Sequence, residues 1–343
     1  MKNMVKKFVV GVIGAGRIGK IHVENLLRKV PEVKLKFVAD IKIDEKLKQW
    51  ASEIGVPKLT TDPNEIFKDA EIDVVVICSS TDTHAKFIQE AAKVKKNIFC
   101  EKPLDTDIKR IKETLAVVKK AGVKLMVGFN RRFDHNFMRV REAVNSGQIG
   151  TPQIIKVTSR DPAPPPIEYV KVSGGIFLDM TIHDWDMARY QAGSEVEEVY
   201  ATGAVLINPE IGKAGDIDTA VAVLKFKNGA IGIVDNSRQA IYGYDQRVEV
   251  FGSKGCAMAD NDTPNTVRIY TSDHTTTDKI PYFFLERYMG SYATELQTFF
   301  DCLRNNKEPA PGGEDGLQDV LVAIAAQKSL KEHRPVKISE VDK

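Results

Sequence analysis

Cysteine is scarce in this sequence. There are four in 343 residues, Cys78, Cys100, Cys256 and Cys302, with no C-x-x-C pair and no regular spacing. That excludes a disulfide framework, and two of the four sit in apolar strand-like runs, so they read as reduced, buried thiols of a cytoplasmic protein. Histidine is sparse as well, at six. No His or Cys cluster supplies the third and fourth ligands that a zinc dehydrogenase needs, and no metal is expected. An excess of one charge is also missing: 49 Lys and Arg stand against 47 Asp and Glu. With no basic stripe interleaved with aromatics, nucleic acid is not an expected partner. No apolar run approaches the length of a membrane span. The start, MKNMVKKFVVGVIG, has the basic-then-apolar order of a signal peptide. Its apolar run is short and leads straight into glycines without a cleavage site, so secretion is not expected.

The chain does have 43% hydrophobic and 28% charged residues over a length that suits two domains, each with enough material for a core. Residues 8–13, FVVGVI, form an apolar run without alternation, as expected of a parallel strand covered on both faces. The run passes into GAGRIG, with Gly14, Gly16 and Gly19, and then into a helical pattern through Ile21, Val23, Leu26 and Leu27. Strand, glycines and helix in that order give a dinucleotide fingerprint the context it needs. The first glycine permits the tight turn and the second a close approach of pyrophosphate. The third allows close packing, and the helix N-terminus offers free N–H groups to the phosphates.

A second strand, LKFVAD, ends in Asp40, about 20 residues beyond the glycines, where an acid accepts hydrogen bonds from both ribose hydroxyls and repels a 2′-phosphate. NAD is therefore favoured over NADP, with Lys42 leaving room for some tolerance. A third strand, IDVVVICSS, stops at Ser79, Ser80 and Thr81, with His84 following, at the carboxyl edge where open α/β sheets bind ligands. A fourth, NIFCEKPL, ends in Glu101, Lys102 and Pro103. The proline holds Lys102 out of helical conformation and can support a cis bond. A helix and the strand VKLMVGF complete five strands of a doubly wound sheet by about residue 128. The expected NAD contacts are Gly14, Gly16, Arg17, Ile18, Gly19, Asp40, Ile41, Ser79, Ser80, Thr81, His84, Glu101 and Lys102.

The pattern then changes. QIIKVTSR at 153–160 begins a set of longer, alternating strands. Others follow at about 197–207, 218–226 and 230–238, the last two joined by the hairpin signal Asn228-Gly229. RVEVFG and CAMAD form a further pair. The expectation is an α/β protein: a Rossmann domain over 1–128, and an α+β domain over 129–343 with a large open, mainly antiparallel sheet. The last helix, about 314–332, is free to pack back on the first domain. An open sheet face of this kind suits a homo-oligomer interface.

Between the first two strands of that sheet lies GGIFLDMTIHDWDMARY, residues 174–190, which concentrates reactive groups. If it is helical, Asp179 and His183 share a face, and a carboxylate that orients an imidazole is the core of many general-base arrangements. Asp184, Asp186 and Arg189 fall on other faces, where solvated or structural ion pairs are expected. The stiff loop DPAPPPIEYV is a candidate pocket wall, while Tyr288 and Tyr292 read as core.

GVIGAGRIGKIH, EKPL and GGIFLDMTIHDWDMARY, in that order across nearly the whole chain, resemble the glucose-fructose oxidoreductase, inositol dehydrogenase and MocA family. DMTIHDWDMARY and DNSRQAIYGYDQRVEVFGSKG look most like its bacterial inositol 2-dehydrogenases. The resemblance implies NAD, a catalytic trio of Lys102, Asp179 and His183, an open-sheet C-terminal domain and usually a tetramer formed through it. The expected reaction is oxidation of a cyclic polyol, myo-inositol to 2-keto-myo-inositol. The expected substrate contacts are Lys102, Asn130, Arg131, Asp161, Asp179, His183, Asp235, Tyr242 and Tyr244. An NAD(P)-dependent dehydrogenase of an aldose or another cyclitol is the alternative, and a non-enzymatic NAD-binding sensor or repressor a distant one.

Overall fold

The computed structural model describes residues 7–342. Residues 1–6, which include most of the basic start, lie outside the described residues, as does residue 343. The chain forms two compact units, one running to Asn130 and resumed over Tyr292–Leu317, the other comprising Arg131–Ser291 and the chain from Gln318 onward.

The first unit alternates strand and helix: β1 (Phe8–Ile13), α1 (Arg17–Arg28), β2 (Val33–Ala39), α2 (Glu45–Ile54), β3 (Leu59–Thr60), α3 (Asn64–Lys68), β4 (Val74–Ile77), α4 (Thr81–Lys93), β5 (Asn97–Glu101), α5 (Ile108–Ala121) and β6 (Leu125–Gly128). The strands form a parallel sheet in the order β3-β2-β1-β4-β5-β6, with the reversal between β1 and β4 that opens a ligand crevice at the carboxyl edge. Val74, Val75, Val76 and Ile77 are fully buried, which explains why the sequence shows an unbroken apolar run there. The sheet has six strands where five were expected. The additional one, β3, is too short to show a period.

The second unit carries α6 (His135–Asn145), β7 (Pro152–Arg160), α7 (Ile167–Val170), α8 (Ile176–Asp179), α9 (Ile182–Ala192), β8 (Val196–Ala204), α10 (Pro209–Lys213), β9 (Thr219–Phe226), β10 (Ile231–Ser237), β11 (Asp245–Gly252), β12 (Gly255–Ala259), the small hairpin β13 (Arg268–Tyr270) and β14 (Thr275–Thr277), and α11 (Phe284–Arg287). Helix α12 (Met289–Arg304) continues into the first unit. Helix α13 (Gly313–Glu332) leads back, and β15 (Val336–Lys337) closes the sheet edge beside β8.

The seven-stranded sheet has the order β12-β11-β7-β10-β9-β8-β15 and is mainly antiparallel, with β7 and β10 parallel. In β9, Ala220, Ala222, Leu224 and Phe226 are buried, while Val221, Val223 and Lys225 point outward. Helix α9 packs on β7 and β10 and covers the inner face. Tyr288 and Tyr292 are buried, as their core reading required.

The segment 174–190 is not one helix. The Thr181 N–H donates to Ile176 O at 2.9 Å, five residues back, and the helix restarts when Asp184 N–H donates to Thr181 O at 2.8 Å. Gly174 (φ 84°) and Gly175 (φ 85°) enter it in the left-handed region, which a side chain would strain. A Cβ on Gly175 would also stand 3.0 Å from the Asp216 carboxylate, which accepts the N–H of Ile176.

Candidate active site

In the first unit the glycine turn divides into two kinds of position. A Cβ on Gly14 would strike the backbone of Cys78 and Ser79 at 2.5–2.6 Å, and one on Gly19 would lie 2.0 Å from Gly14 O. These two glycines are required by the chain's own packing. Gly16 has nothing within 4 Å of such a Cβ, so the space before it has room for a close pyrophosphate approach. Arg17 is exposed beside it, and Ile18 is half-buried.

Asp40 Oδ2 accepts the N–H of Ala15 at 2.8 Å and Oδ1 that of Lys42 at 3.0 Å, which fixes the acid to the glycine turn. Beside it Ile41 is 94% exposed, an apolar side chain standing open next to Asp40. Ser80 begins α4, and Ser79 Oγ lies 2.6 Å from Thr83 Oγ1. His84 is buried between Pro103 O (2.8 Å from Nδ1) and Ser79 O (3.0 Å from Nε2). Lys102 and Glu101 are half-buried, and the Lys102–Pro103 bond is cis. These residues fit a dinucleotide by their open glycine, their anchored acid and their position at the carboxyl edge of the sheet.

In the second unit every residue from Ile176 to Arg189 is buried except Asp179 and His183. Asp179 Oδ1 accepts the Tyr169 hydroxyl at 2.7 Å, and Arg238 Nη1 lies 3.5 Å from its other oxygen. Arg238 is only 1% exposed and also faces Asp216 at 3.4 Å. Neither Arg238 nor Asp216 nor Tyr169 stood out in the sequence, because each comes from a separate part of the chain and only the fold gathers them.

The neighbouring acids are committed to internal ion pairs rather than to solvent. Arg131, 5% exposed, donates to Asp184 at 2.6 Å, to Ser159 at 3.2 Å and to Tyr244 at 3.2 Å. Asn236 donates to the second Asp184 oxygen at 2.8 Å. Arg132 pairs with Asp186, and Arg189 with Glu195 and Asp319. Burial works against the Arg131 charge, but Tyr244 and Asp184 more than offset it and its pKa is raised. Burial likewise raises the Asp184 carboxyl, opposed by Arg131. The solvated alternative for Asp184, Asp186 and Arg189 is thus corrected: a buried guanidinium stands within reach of each acid, so water is replaced.

The remaining substrate candidates scatter. Asp161 is half-buried, and burial pushes its carboxyl up to about 6, with Arg131 and Arg238 pulling down and Asp179 and Asp184 adding to the rise. Asp235 is paired with Arg160 at 2.5 Å. Tyr242, 47% exposed, donates to Asp245 at 2.6 Å. Tyr244 is buried against Phe283 and Tyr288, and Asn130 is buried at the end of the first unit. Among the described residues, two groups of one histidine with two acids come together that no spacing announced, His22–Glu101–Glu295 and Asp134–His135–Asp262. In the first, His22 already bonds Glu101. In the second, Arg287 pairs with both aspartates.

Comparison with known proteins agrees with this geometry. Residues 8–129 match the model of an oxidoreductase family with an NAD-binding Rossmann fold, and residues 137–258 match the GFO/IDH/MocA C-terminal domain. The chain is 52% identical over 332 residues to a myo-inositol 2-dehydrogenase of Thermotoga maritima, covering 97% of this chain and 99% of that one. A putative myo-inositol dehydrogenase from Sinorhizobium meliloti 1021 superposes with a TM-score of 0.93 at 45% identity, over 97% and 100% of the two chains. A scyllo-inositol dehydrogenase from Lactobacillus casei, solved with NAD(H) and scyllo-inositol, gives 0.89 at 31% identity over 97% and 99%. With both of its units matched, the chain belongs to the GFO/IDH/MocA oxidoreductase family and is an NAD-dependent dehydrogenase.

Proposed function

We propose that the protein oxidises one secondary hydroxyl of an inositol ring to a ketone, with myo-inositol to 2-keto-myo-inositol as the preferred reaction. The observation that carries this reading is the burial of Ile176–Arg189 around two open side chains, Asp179 and His183. A segment buried along its length except at an acid and an imidazole leaves those two groups accessible to a substrate. Bound NAD supplies the hydride acceptor. His183 takes the hydroxyl proton as general base. Asp179, held by Tyr169 and facing Arg238, keeps its carboxylate in place to favour the imidazolium that forms. Lys102 stabilises the developing alkoxide with a fixed positive charge.

The ring hydroxyls need several polar partners, since an unpaired buried donor is costly. Asp161, half-buried, and Tyr242, 47% exposed, are the candidates for direct contact. The buried Arg131 and Tyr244, with Asn236, support the Asp184 turn from beneath. Asp235 and Asn130 complete the candidate set. The likeness to a scyllo-inositol dehydrogenase favours one second reading, a different inositol isomer as substrate.

The assay is NADH absorbance with purified protein against myo-inositol, scyllo-inositol, other inositols, glucose and sugar acids, with NAD and NADP in parallel. Turnover of myo-inositol with NAD is expected. Turnover of an aldose alone would overturn the substrate assignment.

The outer sheet face supports a further part of the reading, a homotetramer. Across the strands Phe251, Ile154 and Ile231 are in register, as are Ile233, Val223 and Tyr200. Phe251, Ile154, Ile231, Val223 and Tyr200 are each more than a third exposed, an apolar patch that a subunit contact would cover. Light scattering on the purified protein checks this, and a monomer would refute it. Four unbridged cysteines suit the reducing cytoplasm, where the reading places the enzyme. The expected burial holds only for Cys100: Cys78 and Cys302 are half-buried, and Cys256 on the edge strand β12 is exposed.

A further inference from the structure

Lys102 stands between two residues that are each tied to a buried histidine. On one side Glu101 ends β5, and His22 Nε2 on α1 donates to its Oε1 at 2.6 Å. His22 is fully buried, its ring edge-on to Phe99 at 5.1 Å and to Tyr292 at 5.8 Å. On the other side the Pro103 carbonyl lies 2.8 Å from Nδ1 of His84 on α4, which is 1% exposed. The far nitrogen of His84 is 3.0 Å from Ser79 O, in the turn that starts its own helix. Strand β6 is also shaped around this arrangement: a Cβ on Gly128 would stand 3.0 Å from the Glu101 carboxyl.

A histidine that only fills core does not need a polar partner at the residue flanking a reactive lysine. Here two do so, from two helices, on opposite sides of one residue. The consequence for Lys102 follows from chain geometry. Glu101 is the last residue of β5 and Lys102 follows it directly, so anchoring the Glu101 carboxylate in the interior holds the backbone from which Lys102 departs. Pinning the Pro103 carbonyl fixes the other end of the turn. A lysine stem is flexible, and a charge meant for one oxygen loses its effect when displaced: about 1 Å of misplacement costs on the order of 100-fold in rate.

We propose that His22 and His84 are positioning residues for Lys102, a two-histidine clamp that aims its ammonium from the first unit. Glu101 is the link through which His22 acts. This inference rests on the reading of Lys102 as the group that stabilises the alkoxide.

The test is a double-mutant cycle on the full-length protein, using the cyclitol it turns over best. His22→Leu, His84→Leu and Glu101→Gln are each made alone and together with Lys102→Met, and kcat, KM, NAD affinity and Tm are measured. Each single clamp variant is expected to lose about 10-fold to 100-fold in kcat at saturating NAD, with KM for the cyclitol retained. In the Lys102→Met background the same changes should cost nothing further, because what they position is gone. His22→Gln and His84→Gln, which restore an N–H donor, should recover part of the rate. If a leucine variant does not fold, the glutamine variants and Glu101→Gln carry the cycle. Clamp losses that multiply with the Lys102 loss would overturn the proposal and leave the role of Lys102 intact. Clamp variants at full rate beside an impaired Lys102→Met would do the same. An unimpaired Lys102→Met would overturn both.

Discussion

Two sides of the segment Ile176–Arg189 put the same kinds of side chain to opposite uses. On one side Asp179 and His183 are the only residues that remain open. On the other, Asp184 and Asp186 are fully buried and Arg189 nearly so, each locked to a partner brought in from elsewhere in the unit. A buried charge is tolerated only when paired and hydrogen-bonded, so the second group is structural by necessity. The first stays partly exposed, within reach of a reactant. Charge alone therefore does not separate the two groups; access does.

The largest expected effect lies on the open side. His183→Ala should lower kcat on the order of 100-fold to 10,000-fold while leaving NAD binding and Tm near those of the parent protein. Near-normal turnover would remove His183 as the base and with it the contrast between the two sides. The buried side should answer in stability. Asp184→Ala strands the Arg131 guanidinium and should cost about 3–5 kcal/mol in denaturant unfolding. Removing both charges with Arg131→Met and Asp184→Leu should restore much of that loss. A double variant as unstable as the single one would show that the pair is not what Asp184 contributes.

A third effect sits at the boundary between the two sides. Asp161 is half-buried near both groups of charges, its carboxyl pushed up to about 6. Above that pH it is an acceptor for a substrate hydroxyl, so KM for the polyol should rise several-fold as pH falls through about 6. In Asp161→Asn the KM should be high and flat. The accompanying stability change has a defined sign. The folded value lies above the ordinary 3.8, so this group's contribution is fully present below 3.8 and is lost as pH rises through about 6. Asp161→Asn should accordingly gain in Tm relative to the parent across that window. A KM profile identical in the two proteins would remove Asp161 from substrate binding.

What the sequence disclosed and withheld follows the reach of the interactions. The glycine turn, Asp40 and the fully apolar β4 were legible because their causes are local: a tight turn, a strand end, burial on both faces. The hairpin at Asn228-Gly229 was legible for the same reason, with Gly229 at φ 89°. Asp179 and His183 were picked out by spacing, although the helix that justified the spacing breaks between them. The environment of each charge was not legible. Arg131 and Asp184 are 53 positions apart, and Arg238 meets Asp179 across 59. No local pattern encodes such pairs. The two-residue β3 and the parallel pairing of β7 with β10 were hidden likewise, since one has no period and the other depends on which strand arrives alongside.

The smallest effect concerns the first unit, where a buried acid lacks what Asp184 has. Glu295 on α12 is fully buried, and neither of its carboxyl oxygens has a hydrogen-bond partner; its nearest basic atom is His22 Nε2 at 3.9 Å. Burial, with Glu101 nearby, drives its pKa well above the ordinary 4.5, with no cation opposing the rise as Arg131 does at Asp184. The folded state thus holds a proton that the unfolded chain gives up. Stability from this group is complete below pH 4.5 and declines as pH rises toward the folded pKa. Glu295→Gln keeps the neutral shape and removes that dependence. It should match the parent in Tm near pH 4.5, exceed it by a few degrees at alkaline pH, and leave kcat unchanged at neutral pH. A Glu295→Gln protein that is less stable at every pH would show that Glu295 is ionised in the fold, and that a cation reaches it as Arg131 reaches Asp184.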